Sequence, residues 1–362
     1  VSEAFVQSTA LACALGADLE TAVGRLHGEP RPPTRKVPAA GPWPYFAIPV
    51  ENADWMQRTQ AIARAVAHEL RRKASLSPEE WERLPCLVGS SCSSVGAWDD
   101  GGLPALQAPL EFGRMLAGVF GVRGPVMLAN TACTSGLSAL DLGLSLLAAG
   151  TCGKALVIGV EVVNRLTVAG FAGLELLSAT AARPCDRDRD GLVLGEALAA
   201  MLVSASGGAW RIAALASATD AASLTGPAPD GRVIARAMRD ALAAARWTGD
   251  SVDLVKLQAA GGTLADLAEA RAVREIFPVP PSLVSLKGAI GHTLGASGPA
   301  ELALLLESIA RGRVPRTWGF AARDPELALE PEGGDAGAVK RVLFNLSGFG
   351  GSVMSLALER AA

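Results

Sequence analysis

The chain alternates short, nearly unbroken apolar runs with longer stretches whose apolar residues recur at helical spacing. Ala4-Phe-Val opens a short strand, followed by a small-residue turn and a helix from about Asp18 to Leu26. Pro30 to Pro44 is a Pro/Gly-rich connection. Met56 to Ala74 carries Ile62, Ala65, Val66 and Leu70 on one helical face and ends in Arg71-Arg72-Lys73. Cys86-Leu-Val-Gly89 is a strand that runs into a Gly/Ser loop, and a helix spans about Leu106 to Phe120. An apolar run then leads into Leu128-Ala-Asn-Thr-Ala-Cys133-Thr-Ser-Gly136, with an Ala/Leu-rich helix from Gly136 to Ala149. Lys154 to Glu161 is a continuous apolar strand of the kind buried in parallel sheets. Leu192 to Val203 reads as a helix-then-strand stretch with Glu196 inside it.

The composition breaks at Ser204-Ala-Ser-Gly-Gly208, and the pattern restarts. Strands are expected near Arg211–Ala216, Val252–Gln258, Leu283–Ser285, Val339–Leu346 and Ser352–Leu358. Helices are expected over Pro229–Arg246, from the Gly-Gly turn through Glu275, and over Gly298–Arg311. This order predicts an α/β chain of two similar halves, 1–205 and 206–362.

Composition narrows the function. Half of the 362 residues are hydrophobic, enough for a large core. The net charge of −3 and a sequence pI near 5.8 argue against a nucleic-acid partner. The six cysteines form no Cys-x-x-Cys pair and the three histidines fall in no zinc spacing, so no metal is expected. Scattered cysteines suit a reducing compartment. No leader pattern opens the chain and no apolar run reaches about eighteen residues. A cytoplasmic protein without a membrane span is expected.

Three stretches carry candidate chemistry. Cys133 lies at a helix start, where the dipole favours thiolate and free N–H groups can hold an oxyanion; the plainer reading is a packed small cysteine. His292 lies in a loop of four glycines, with Lys287 five residues ahead. It can serve Cys133 as base or donor, with Lys287 orienting it or carrying charge to the surface; a structural histidine is the alternative. Phe349, flanked by glycines, fits a movable plug whose N–H can donate to an oxyanion, or simply a turn between strands. Two weaker signals accompany them. The Gly89–Gly96 loop has the glycines of a phosphate cradle but no following Lys-Ser/Thr. Arg71, Arg72 and Lys73 read as a solvated helix end or as a dock for an acidic partner.

Together these stretches resemble the β-ketoacyl synthases of the thiolase superfamily. Thr131-Ala-Cys133-Thr-Ser-Gly136 resembles the nucleophile elbow of that family. Arg183-Pro-Cys-Asp186 with Arg189-Asp190-Gly191 and Gly195-Glu196 resembles its next signature, with Cys185 where an aromatic is usual. Ser285 to Gly298 resembles the segment of the second catalytic histidine, matching His292, with Lys287 in support. Asn345 to Ser352, including Gly350, resembles the gating loop and matches Phe349. The resemblance implies a thiolase-like α-β-α-β-α layering. It also implies transfer of an acyl group from the phosphopantetheine of an acyl carrier protein onto Cys133. Backbone N–H groups of Cys133 and Phe349 would hold the oxyanion, and a malonyl thioester would then lose carbon dioxide and attack. No bound cofactor is implied. The implied partners are an acyl carrier protein and a second subunit, identical or related.

One family feature is missing. The first family histidine sits in a His-Gly-Thr-Gly-Thr loop, where this chain reads Lys256-Leu-Gln258-Ala-Ala260-Gly-Gly-Thr263 before Asp266 and Glu269. Counting back from Asp266 places Gln258 there, or Ala260 if the loop is two residues shorter. The chain is also short between Gly96 and Cys133. Losing one preorganised donor costs about 3–4 kcal/mol, roughly a hundred- to thousand-fold in rate. Three expectations follow: a condensing enzyme with an altered donor set that includes Gln258, a Cys/His acyltransferase or thioesterase, or a non-catalytic partner of the chain-length-factor type.

Overall fold

The eight residues of the strand Ala197–Ser204 are all buried, and alternate side chains enter two different cores. Ala197, Ala199, Met201 and Val203 face one, and Leu198, Ala200 and Leu202 the other. A strand buried on both faces must read as an unbroken apolar run. The expected helix at the start of 192–203 is therefore absent.

The computed structural model describes residues 3–39, 41–51, 54–100, 109–337 and 339–361. The first half runs β1 (Phe5–Cys13), α1 (Leu19–Leu26), β2 (Arg35–Pro38), β3 (Pro42–Phe46), α2 (Trp55–Lys73), α3 (Pro78–Glu82), β4 (Cys86–Gly89) and α4 (Pro109–Phe120). It continues through β5 (Val126–Ala129), α5 (Ser135–Ala148), β6 (Lys154–Glu161), α6 (Arg165–Gly173), β7 (Leu194–Gly195) and β8 (Ala197–Ser204). The second half contains β9 (Trp210–Thr219), α7 (Arg232–Ala245), β10 (Leu254–Lys256), α8 (Thr263–Ile276), β11 (Ser282–Val284) and α9 (Lys287–Ile290). It ends with α10 (Ser297–Ala310), β12 (Arg313–Val314), β13 (Gly334–Asp335), β14 (Arg341–Ser347) and β15 (Ser352–Arg360). Residues 106–108, expected to begin a helix, lie outside the described residues.

The two halves share one strand order. The first runs β5-β4-β6-β8-β1 and the second β11-β10-β14-β15-β9, so each places its own strands third, second, fourth, fifth, first. In each half the first two pairings of that order are parallel and the last two antiparallel, so the fourth strand runs against the other four. A short pairing of Phe5 with Arg211 and Val6 with Trp210 joins them. Helices α2 and α4 cover one outer face, α7 and α8 the other, and α5 and α10 fill the middle. This is the expected five-layer α-β-α-β-α architecture. Among the described residues no helix is long and apolar enough to cross a membrane.

Three other elements differ from the sequence reading. The Pro-rich connection forms the hairpin of β2 and β3, whose prolines lie where β3 pairs on one side only. Helix α3 starts at a capping box of Ser77 and Glu80. Helix α6 was hidden by Gly170 and Gly173, although Asn164 caps it.

The two central helices meet at their starts. A Cβ on Gly136 would lie 2.3 Å from Pro299 Cδ and 2.8 Å from the Gly295 carbonyl oxygen. This approach brings the turn before α5 against the loop before α10. Gly136→Ala is expected to destabilise the fold by about 1–3 kcal/mol through overpacking. Gly24→Ala, on the exposed side of α1 with nothing within 4 Å, should instead gain about 0.5–1 kcal/mol. Urea denaturation at one protein concentration checks both signs.

Candidate active site

Between β5 and α5 the chain turns sharply. Ala132 has a φ of +52°, in the left-handed region an L-residue rarely adopts. Ser135 holds the turn: its Oγ donates to the Ala132 carbonyl at 2.5 Å and accepts from the Thr131 N–H at 3.0 Å. Cys133 follows, only 4% exposed, just ahead of the first turn of α5. Thr134 Oγ1 lies 2.7 Å from Ser352 Oγ, which ties this turn to the start of β15.

His292 comes from the other half. Its N–H donates to the Val193 carbonyl at 2.8 Å, and its carbonyl accepts the Gly195 N–H at 3.0 Å. Its Nε2 lies 3.1 Å from Cys133 Sγ, and Nδ1 lies 3.3 Å from Ser297 Oγ. Burial, then the charges of Lys287 and Lys256, push the imidazole well below its ordinary range, so it is uncharged at neutral pH. Burial pushes the Cys133 thiol up to about 11, against the Phe349 N–H and Lys287, which pull it down. The expected thiolate is thus corrected: loss of solvent outweighs the helix start. The resting pair is a thiol and a neutral imidazole. With Nδ1–H donating to Ser297, the Nε2 lone pair accepts the Cys133 S–H.

The loop between β14 and β15 closes over the sulfur. The backbone N–H groups of Phe349 and of Cys133 itself favour the charged form of the sulfur and so pull its thiol down. A Cβ on Gly348 would lie 3.0 Å from the Cys133 nitrogen, so glycine lets this loop pass against the elbow. Gly350, at φ +74°, donates its N–H to the Leu224 carbonyl at 2.8 Å. The Phe349 ring stacks on Phe171 of α6, centroids 5.1 Å apart. Asn345 is buried in β14, accepting the Ser355 hydroxyl at 2.7 Å, and does not line the cavity.

Cys133, His292 and Phe349 border a cavity of about 400 Å³ whose walls are mainly apolar, among them Leu176, Leu192 and Val353. Gln258 and Ala260 border it too. Glu269 accepts the N–H groups of Gln258 at 2.7 Å and Ala259 at 2.8 Å; Asp266 accepts those of Ala260 at 3.0 Å and Cys185 at 2.9 Å. Burial raises the Glu269 carboxyl to about 7. The Gln258 Oε1 is buried with no hydrogen-bond partner. Neither of the other histidines borders the cavity: His68 is exposed on α2, and His27 lies in a separate cleft beside β12 and β13. Among the described residues no His, Cys, Asp or Glu cluster is placed to hold a metal ion.

Other expectations resolve differently. Lys287 does not reach the surface; its ammonium is buried on Glu301. The Gly/Ser loop cradles no phosphate, because its Ser91 and Cys92 N–H groups donate to Glu161 at 2.8 and 3.0 Å. Glu161 also accepts the Gly295 N–H at 3.0 Å, tying that loop to the His292 segment. Arg71 lies over the Trp81 ring and Lys73 bonds Glu69, and none of the three basic residues borders the cavity. Phe171, Glu161, Lys256 and Glu301 are site residues the sequence reading missed. A lone glutamate in the apolar run Pro299-Ala-Glu301-Leu-Ala-Leu was the one readable signal.

The thiolate is the form that alkylates, and its fraction grows about tenfold per pH unit below the thiol pKa. Iodoacetamide labelling of the Cys133 peptide should therefore still be climbing between about pH 9 and 10, where an ordinary thiol levels off. Peptide mass mapping checks this; a plateau by about pH 8 contradicts it.

Comparison with known proteins agrees with this architecture. The model of the β-ketoacyl synthase N-terminal domain matches residues 42–206, and that of the C-terminal domain residues 210–321. The chain is 30% identical over 347 residues to a 3-oxoacyl-[acyl-carrier-protein] synthase 2 of Mycobacterium tuberculosis, covering 84% of this chain and 83% of that protein. It is 34% identical over 274 residues to the tetracenomycin polyketide synthase ketoacyl synthase alpha subunit of Streptomyces glaucescens, covering 70% of this chain but 64% of that protein. A ketosynthase solved in complex with its chain length factor, from Xenorhabdus doucetiae, shares the fold at a TM-score of 0.85 and 23% identity, covering 99% of this chain and 98% of that one. The chain belongs to the β-ketoacyl synthase family and has its thiolase-like fold.

Proposed function

We propose that Cys133 accepts an acyl group from the phosphopantetheine thioester of an acyl carrier protein, with His292 as its base. The 3.1 Å approach of His292 Nε2 to Cys133 Sγ at the cavity wall carries this reading. Sγ attacks the thioester carbonyl while its proton passes to Nε2. The N–H groups of Cys133 and Phe349, which act on the sulfur, take up the developing oxyanion charge. The intermediate collapses to the acyl-Cys133 thioester, and the departing pantetheine thiolate takes the proton back from His292. Relatives named as an acyl-carrier-protein synthase and a polyketide synthase subunit support a carrier-borne substrate in fatty acid or polyketide synthesis.

Condensation would follow with an unusual donor set. A malonyl thioester loses carbon dioxide, and its enolate oxygen needs two donors. His292 supplies one once its ring proton lies on Nε2, with Nδ1 then accepting from the Ser297 hydroxyl, and the Gln258 amide, bordering the same cavity, supplies the second. An amide stabilises an enolate less than the expected histidine, so condensation is slow relative to transfer. A Cys/His acyltransferase or thioesterase needs only Cys133, His292 and the two N–H groups. A second reading rests on Gln258 and Ala260 standing where a histidine is expected: a chain-length-factor-type subunit that pairs with a related ketosynthase. Either way a dimer suits β5, which among the described residues pairs only with β4 and shows the half-buried Val126, Met127 and Leu128 along its edge.

Intact-protein mass spectrometry after incubation with acyl-carrier thioesters separates these readings. A stable acyl adduct is expected, absent in Cys133→Ala and formed about a hundred- to ten-thousand-fold more slowly in His292→Ala. With malonyl carrier added, Gln258→Ala should lower carbon dioxide release about a hundredfold; unchanged release removes Gln258 as the donor. No adduct, with a second ketosynthase co-purifying, favours the partner reading.

A further inference from the structure

Lys256, Lys287 and Glu301 are all fully buried. One carboxylate holds both ammoniums: Glu301 Oε2 accepts from Lys256 Nζ at 2.6 Å, and Oε1 accepts from Lys287 Nζ. The Lys256 ammonium also lies 4.0 Å from the centroid of the Phe344 ring. Two cations sharing one anion leave an excess positive charge away from water. Burying an ion costs several kcal/mol, and an apolar side chain would fill the same space at less cost. Packing alone gives no reason for a lysine here.

Its neighbours give one. Lys256 ends β10, two residues before Gln258, and Lys287 begins α9, five residues before His292. Glu301 lies one turn into α10, whose Ser297 lies beside His292 Nδ1. The bridge therefore joins the two segments that bring Gln258 and His292 to the cavity of Cys133. A neutral tie between them exists already, since Ser285 Oγ donates to the Ala259 carbonyl at 2.6 Å. What the second lysine adds is charge.

The charged and titratable groups around His292 are Cys133 from the turn before α5, Lys287 from α9, Lys256 from β10, and Glu301 from α10. Asp220, and Asp266 and Glu269 of α8, border the same cavity, and Glu161 of β6 holds the Gly295 N–H; each accepts backbone N–H groups, and none hydrogen-bonds the imidazole. We propose that Lys256 is a positioning residue: its ammonium, bridged through Glu301 to Lys287, holds His292 as an uncharged proton acceptor for Cys133. This rests on the reading of His292 as the base. Lys287 alone would neutralise Glu301 and leave no surplus positive charge beside the imidazole. Lys256 supplies that surplus, and with its ammonium held near 8 by burial it is still charged at neutral pH.

The test reads the imidazole directly. In the full chain labelled at histidine, NMR resolves three side chains, His27, His68 and His292. In the wild type His292 should stay neutral well below the ordinary histidine range, because burial and the two lysines disfavour its charged form. In Lys256→Met its midpoint should rise by about one pH unit or more, at least a tenfold gain in proton affinity. Lys256→Gln should give the same shift, and serves if the methionine variant does not fold. Two results overturn the proposal: His292 titrating in the ordinary histidine range of about 6.5 in the wild type, or His292 remaining uncharged in both variants as it does in the wild type. The second is what a merely structural lysine would give. The readout uses no carrier and no acyl group, so failure of the proposed acyl transfer is seen separately.

Discussion

The close approach of α5 and α10 is the constraint on which the site depends. Cys133 belongs to the first half of the chain and His292 to the second, and neither half alone holds both. Their 3.1 Å contact exists because Gly136 leaves room for Pro299 where the two central helices begin. The duplicated strand order sets those helices face to face between two sheets. Cys133 then stands two residues ahead of α5 and His292 five residues ahead of α10.

The same burial sets the chemistry. Cut off from water, the sulfur keeps its proton and the imidazole stays neutral, so the site rests without an ion pair. The carboxylates around it are fixed in place by structural bonds. Glu161 and Glu269 accept backbone N–H groups that shape the two loops at the cavity, and Glu301 anchors two lysines. In the proposed acyl transfer, moving the proton from Cys133 to His292 therefore requires an incoming carbonyl whose developing charge backbone N–H groups can take up.

Much of this was legible in the sequence. Continuous apolar runs marked β6 and the central strands, because a strand buried on both faces has no polar side to show. The same rule was missed at Leu192–Val203, where Leu and Ala suit helix and strand alike. Cys133 stood out as a cysteine at a helix start, and His292 and Phe349 because glycines crowd around them; the structure brings all three, with Gln258, to one cavity. The lysine–glutamate bridge was not legible, since a buried charge and a solvated one are spelled with the same letter. Phe171 was lost with α6, whose two glycines hid its period. The thiol's protonation went the other way because desolvation depends on neighbours distant in sequence.

The most direct test is whether a carrier-borne pantetheine arm reaches Cys133. An acyl carrier protein loaded with an electrophilic pantetheine analogue should form one covalent complex with the chain, joined at Cys133 by peptide mapping and lost in Cys133→Ala. A carrier that crosslinks elsewhere, or not at all while free iodoacetamide still labels Cys133, would contradict an acyl acceptor at this position.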